Sequence, residues 1–158
     1  IKPMIELRQI AKLFLRLTVA TSMLSAVADR FGLWAKDMCV WGSMDKYLAY
    51  TQTLIPYVPA EYIPALGWTA TACEILFSVC LLLGLKLRWT ASLSGLMILT
   101  FAIAMATSEG IKAPLDCLAF NASAAAFAIL ACGKGLFEVD NLFGNRRRDS
   151  RRIKMIGL

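Results

Sequence analysis

Residues 62–84 of this 158-residue chain read YIPALGWTATACEILFSVCLLLG. Glu74 is the only charged residue in this stretch. The hydrocarbon core of a bilayer is about 30 Å thick, and about 20 mainly apolar helical residues cross it. Pro64 lies near the start of the stretch and Gly84 at its end, the positions that proline and glycine prefer in helices. Residues 62–84 therefore predict a transmembrane helix.

Three further segments are similarly long and apolar: residues 10–28, 89–108 and 114–132. The whole chain is 58% hydrophobic and 18% charged, with a mean hydropathy of +0.61, which is too apolar for an ordinary soluble domain. The sequence therefore predicts an all-α fold: an integral membrane four-helix bundle over residues 1–143, followed by a basic cytoplasmic tail at 144–158. The absence of an internal repeat argues against a small inverted-repeat transporter.

The loop between the first two segments, residues 29–61, mixes aromatic and charged residues at irregular spacing. Tryptophan and tyrosine are enriched at the level of lipid headgroups. We therefore expect a short amphipathic helix over residues 43–54, lying in the outer membrane interface. The alternative is a lid that only closes the bundle.

Lysine and arginine gather before the first segment, between the second and third, and after the fourth. Cytoplasmic loops carry this excess, so both termini are predicted to be cytoplasmic. The first segment also resembles a signal peptide, because Ala26-Val27-Ala28 precedes Asp29. Arg16 inside the apolar run and the three further segments favour a retained helix, and we expect the native chain to begin before Ile1.

The end of the chain holds most of its net charge of +6. Six basic residues and Asp149 give the tail a net charge of +5; the basic residues are Arg146, Arg147, Arg148, Arg151, Arg152 and Lys154. We predict that the tail binds anionic lipid headgroups. No aromatic residue interleaves the arginines, which argues against nucleic acid as a partner.

Arg16 and Glu74 are the two most informative charged residues within the predicted spans, where ionisable side chains are costly and usually face the bundle interior. A rise of about 1.5 Å per residue places Arg16 about 9 Å and Glu74 about 15 Å above the cytoplasmic boundary. This matched depth predicts an ion pair, either a structural clamp or one wall of a polar pocket. Candidate neighbours in that pocket are Trp68, Phe77 and Asn121. Alternatively, Arg16 snorkels to cytoplasmic headgroups.

A second polar cluster is predicted at the outer ends of the helices. Its members are Asp29, Arg30, Glu109, Lys112 and Asp116. Asp116 also suits the first turn of the fourth helix, where a negative charge complements the helix dipole.

The chain has no histidine and no Cys-x-x-Cys motif. Haem held by histidine, His-containing zinc sites and imidazole-activated nucleophiles are therefore excluded, and we expect no metal site. Cys73 and Cys80 lie about 10 Å apart along one helix, too far for a disulfide. Cys39 and Cys117 would both face the oxidising outer side, which makes them the candidate disulfide pair.

Short motifs along nearly the whole chain resemble those of the DoxX family of membrane proteins. In chain order they are LRL (15–17), DRFG (29–32), WGSM (41–44), YLAYT (47–51), ACE (72–74), GLKLR (84–88), GIKAPLD (110–116) and VDNL (139–142). The resemblance implies a four-helix, multi-pass protein of the bacterial cell (inner) membrane, often linked to redox metabolism. One branch of that family forms a membrane subunit of thiosulfate:quinone oxidoreductase, and others associate with oxidative-stress proteins.

The resemblance leads us to expect a redox-associated membrane subunit that uses quinone. Trp68 and Phe77 would flank a quinone ring, and a partner redox enzyme subunit would exchange electrons with it, because the sequence carries no metal, haem or flavin motif. Whether the chain is itself an enzyme stays open. The alternative is a non-enzymatic membrane scaffold or small-solute-binding protein that docks a partner, and a homo-oligomer is a further candidate assembly.

Overall fold

The computed structural model describes residues 2–132 and 138–139 of the chain. The helices are α1 (Lys2–Arg30), α2 (Met44–Leu54), α3 (Ile63–Leu83), α4 (Leu87–Ser108), α5 (Lys112–Asp116) and α6 (Ala119–Ala131), and a 3₁₀ turn at Ala60–Tyr62 leads into α3. The described residues contain no strand. The predicted all-α fold is therefore confirmed for this part of the chain, whereas the basic tail lies outside it.

The long helices pack as two pairs, α1 against α3 and α4 against α6, and α1 also contacts α6 while α3 contacts α4. One buried apolar cluster joins the pairs, and it includes Val19, Ala20, Leu81, Ala91 and Ile129. Three of its buried members are alanines, Ala20, Ala91 and Ala126, and such small side chains let helix backbones approach closely.

Local sequence signals set the bounds of α3. Pro64 sits in its first turn, where a missing N–H leaves no hydrogen bond unmade. Gly84 ends the helix with φ +70°, a left-handed conformation that glycine adopts without strain, and its N–H bonds back to the last turn. The short connection to α4 then makes the two helices antiparallel neighbours.

Three stretches are long and apolar enough to cross a membrane: Leu7–Arg30, Ala60–Leu83 and Leu87–Ser108. Within an apolar 18-residue window of each stretch, the share that is buried inside the protein is 33%, 28% and 28%, respectively. Their remaining surface is largely apolar side chains, which suits contact with lipid. The sequence prediction is thus confirmed for three of the four segments as long apolar helices.

The fourth predicted segment is different from the expected single helix over residues 114–132. Leu118 adopts a left-handed conformation, with φ +58°, and separates the five-residue α5 from the 13-residue α6. Pro114 therefore lies inside α5 instead of starting a span, and Asp116 ends α5 instead of occupying the first turn of α6. The predicted dipole role of Asp116 is wrong for that reason.

Helix α2 occurs where the sequence predicted a helix in the outer loop. The Ser43 side chain accepts a hydrogen bond from the Lys46 N–H, which caps the first turn. Tyr47, Thr51 and Leu54 are buried and face the bundle. Helix α2 is thus packed onto the ends of the long helices, and its position at a lipid interface stays a prediction.

Candidate functional site

A buried ion pair joins the end of α1 to the middle of α3. Arg30 Nη1 lies 2.7 Å from Glu74 Oε2, and Arg30 Nη2 donates to Glu74 Oε1 at 3.0 Å. Arg30 Nη1 also donates to the Thr71 hydroxyl at 2.8 Å, and that hydroxyl donates to the Gly67 carbonyl. Both charged side chains are less than a tenth exposed. The second contact and the Thr71 hydrogen bond partly satisfy the buried pair, whereas Arg30 Nε and Glu74 Oε2 have no hydrogen-bond partner among the described residues.

Aromatic rings cover the arginine on the side of α2. The guanidinium carbon of Arg30 lies 3.8 Å from the centroid of the Tyr47 ring and 5.7 Å from that of Trp41. The rings of Trp41 and Tyr47 meet edge to face, with centroids 5.3 Å apart. A cation over aromatic faces is stabilised most where water is excluded. The rings therefore shield the charge pair and tie α2 to it.

A cavity of about 340 Å³ lies beside Tyr47, between α2, α3 and α4. From α2, it is lined by Tyr47, Thr51 and Leu54. Its other walls are almost entirely apolar, and none of its lining residues is charged. Small-molecule sites typically combine such apolar walls with a few placed polar groups. This cavity is our candidate functional site.

The Tyr47 hydroxyl is the most informative polar group of the cavity. It is buried, and no contact to it has full hydrogen-bond geometry, although the neighbouring Thr51 side chain interacts with it. Burial raises the pKa of Tyr47, and the positive charge of Arg30 and the contact with Thr51 oppose that rise, so the phenol is a neutral donor at physiological pH. A buried donor without a well-placed acceptor is costly. The site is therefore suited to a ligand that brings an acceptor oxygen, such as a carbonyl.

The predicted Arg16–Glu74 pair is not formed, because Glu74 is paired with Arg30. Arg16, only 1% exposed, donates from Nε to the Leu81 carbonyl at 2.9 Å and from Nη2 to the Leu82 carbonyl at 3.0 Å. Side chains on a helix tilt toward its N-terminus. Arg16 on α1 therefore reaches toward the end of the antiparallel α3, away from Glu74, and binds carbonyls of its last turn.

The other members of the predicted pocket do not meet. Trp68 is half exposed and packs on Phe31, with ring centroids 6.1 Å apart. Phe77 packs against the apolar core, and Asn121 is exposed. None of these three lines the cavity beside Tyr47.

The predicted outer cluster is divided among separate contacts. Asp29 accepts hydrogen bonds from the backbone N–H groups of Val40 and Trp41 and so holds the loop after α1. Arg30 turns inward to Glu74. The other contacts are a Tyr50–Glu109 hydrogen bond of 3.0 Å and an exposed Lys112–Asp116 ion pair.

The predicted disulfide is likewise not formed, since Cys39 and Cys117 are both free thiols. Each contacts a carbonyl of its own loop: Cys39 that of Trp34, and Cys117 that of Pro114. Burial and the neighbouring Asp29 carboxylate raise the pKa of the Cys39 thiol. Within the described residues, no three histidine, cysteine, aspartate or glutamate side chains are grouped to hold a metal ion.

Sequence reasoning missed Tyr47 and Trp41 as parts of the site and assigned the wrong arginine to Glu74. The available signal was the tilt of side chains toward a helix N-terminus, which directs an arginine at the end of α1 into the bundle. Sequence reasoning also missed a buried ion pair between Lys12 and Glu138, with Nζ and Oε1 2.6 Å apart. No local pattern links those two residues.

Comparisons with protein-family models, with curated proteins and with solved structures found no match to this chain.

Proposed function

We propose that this chain is a multi-pass membrane protein of the DoxX type that binds a lipophilic, carbonyl-bearing ligand, a quinone, as a redox-associated membrane subunit. The observation that carries the proposal is an apolar cavity of about 340 Å³ that is lined by Tyr47, whose buried hydroxyl makes no well-formed hydrogen bond. A quinone ring is flat and apolar, and its oxygens accept hydrogen bonds. It would fill the cavity and satisfy Tyr47.

The Arg30–Glu74 ion pair next to Tyr47 holds this side of the site in place. Arg30 is held by Glu74 and Thr71, and its guanidinium lies over the Tyr47 ring. A positive charge near the phenol strengthens it as a hydrogen-bond donor to a ligand oxygen. We assign to the chain the binding and orientation of the quinone, and to a partner redox subunit the exchange of electrons with it.

Quinone binding to the purified protein in detergent tests this proposal. A quinone with one isoprene unit should quench tryptophan fluorescence saturably, because Trp41 contacts Tyr47. A neutral hydrogen bond contributes about 0.5–1.5 kcal/mol, so Tyr47→Phe should weaken binding about 2- to 10-fold. The matched control is Tyr57→Phe at an exposed tyrosine. Quenching that does not saturate, or equal affinity in both variants, would contradict the proposal.

A second candidate function, a scaffold that docks a partner protein, is favoured by the loop after α1. Leu33, Met38 and Val40 are 76%, 64% and 80% exposed there. Stable co-purification of a partner that Val40→Asp releases, without bound quinone, would support the scaffold instead. If Val40→Asp releases the partner while quinone binding is retained, the exposed loop is the surface through which a quinone-binding subunit docks its partner.

A further inference from the structure

The two helix faces that line the cavity have the same spacing. Helix α3 contributes Leu66, Thr69, Ala70 and Cys73, which have the spacing i, i+3, i+4 and i+7, and also Gly67. Helix α4 repeats this spacing with Met97, Thr100, Phe101 and Ala104. Apolar stripes of this kind normally pack a helix against its neighbour. Here both stripes border a cavity, so part of each is not covered by a neighbouring helix.

The exposure of the lining residues shows where the cavity opens. The α2 residues Tyr47, Thr51 and Leu54 are buried and close one side. The exposed lining residues come from the other two helices: Leu66 and Thr69 on α3, and Thr100 on α4. The mouth of the cavity therefore lies between α3 and α4.

Both helices at this mouth are long and apolar enough to cross a membrane. An opening between two such helices faces hydrocarbon rather than water. Water filling the cavity would need several polar partners, but the side chains of the lining offer few: the hydroxyls of Thr51 and Thr100 already donate to carbonyls of their own helices, which leaves those of Tyr47 and Thr69. Hydrocarbon is the occupant that matches these walls.

We propose that the groove between α3 and α4 binds one acyl chain of a membrane phospholipid, which reaches the cavity laterally from the bilayer. No charged side chain lines the groove, so a phosphate headgroup stays outside it. This inference deepens the proposed function by naming the route and the chain, and it rests on that function only for the ring beside Tyr47.

Photolabelling of the full chain in liposomes tests the groove. The probe is a phosphatidylcholine with a diazirine in one acyl chain, and adducts are mapped by mass spectrometry. Adducts should concentrate on residues 66–73 and 97–104. Ala70→Phe, which fills the groove, should abolish that enrichment, whereas Leu76→Phe on the exposed face of α3 should keep it.

Thiol reactivity gives a second measurement that does not depend on a substituted groove. Cys73 lines the groove, and Cys80, one heptad along α3, does not. Both thiols are half-buried. Oleic acid should slow alkylation of Cys73 by N-ethylmaleimide and leave that of Cys80 unchanged. Two results would overturn the proposal. One is labelling that is spread evenly over the lipid-facing surface. The other is rapid modification of Cys73 by a charged methanethiosulfonate in sealed liposomes.

The two proposals fail separately. Tyr47→Phe should weaken quinone binding and leave acyl-chain labelling intact. If quinone never binds but the labelling pattern holds, the groove is supported without the quinone function. If quinone binds through Tyr47 but acyl chains are absent from the groove, the lateral route is wrong.

Discussion

Arg30, the last residue of α1, reaches Glu74 in the middle of α3, with Nη1 and Oε2 2.7 Å apart. The pair connects the C-terminal end of one long helix to the interior of its neighbour, and the ring of Tyr47 covers it from α2. Three helices therefore meet at one charge pair. Its removal should affect both stability and the cavity beside it.

We expect Arg30→Met and Glu74→Gln each to lower stability strongly. Removing one partner leaves the other charge buried, which costs on the order of 3–5 kcal/mol. The double variant should lose less than the sum of the single losses, because neither charge remains. Thermal unfolding in detergent measures all three. The exposed Lys112–Asp116 pair is the control, since neutralising it should change little, and strict additivity at Arg30 and Glu74 would contradict the pair.

Arg16→Met should destabilise the end of α3. The arginine donates to the Leu81 and Leu82 carbonyls, and hydrogen bonds to charged groups contribute about 1.5–3 kcal/mol. Arg8→Met, at an exposed position of the same helix, is the matched control. Hydrogen exchange should rise at residues 81–85 in the Arg16 variant. Exchange that is unchanged there would show that the arginine does not cap α3.

Gly67→Ala should disturb the contact between α2 and α3. An added Cβ would lie 2.2 Å from Leu48 Cδ2 and 3.4 Å from Tyr47 Cε1, so Leu48 must leave its rotamer. Overpacking of this kind typically costs about 1–3 kcal/mol. Leu48→Ala in the same chain should recover part of the loss in unfolding temperature. No recovery would mean that Leu48 is not the obstacle.

The Tyr50 phenol should lose its proton at a higher pH than an ordinary tyrosine does. Burial and the hydrogen bond to the Glu109 carboxylate raise its pKa from 10.0 to about 12. Because the folded state holds the proton more tightly, the contribution of Tyr50 to stability is complete below pH 10 and is lost as the pH rises toward 12. Ultraviolet absorbance of tyrosinate, compared between the wild type and Tyr50→Phe, isolates this group. Glu109→Gln should lower the midpoint, and an unchanged midpoint would remove Glu109 as a cause.

Both termini should be cytoplasmic, as the lysine and arginine distribution predicts. Reporter domains fused before Ile1 and after Leu158 should both be active inside the cell and protected from external protease. A fusion after Leu158 that protease cleaves from outside intact cells would contradict this orientation.

The bounds of α3 could be predicted because short-range signals set them. Proline in the first turn and glycine after the last turn act through their own backbone geometry, so neighbours matter little. The break at Leu118 carries no such signal. Leucine disfavours the left-handed conformation, and the hydrogen bonds of the Leu118 backbone to Leu115 and Ala122 have no counterpart in a local sequence motif.

The partner of Glu74 could not be derived from depth along the helices alone. The rise per residue places Cα atoms, whereas an arginine side chain extends several ångströms toward the start of its helix. Arg30 is thereby brought to Glu74, and Arg16 to the end of α3. The role of Tyr47 depended on how the loop after α1 folds back, which follows from Asp29 binding two backbone N–H groups twelve or fewer residues away.

The left-handed residue at Leu118 leaves α6 with only 13 residues, a length of about 20 Å, whereas the 22 residues of α4 extend about 33 Å. Lipids of a bilayer around this chain would therefore contact helices of unequal length. We expect lipid tails in contact with α6 to shorten or tilt to avoid hydrophobic mismatch, which would thin the membrane there. The bundle would then deform its surroundings on one side only, and it would partition toward thinner membranes.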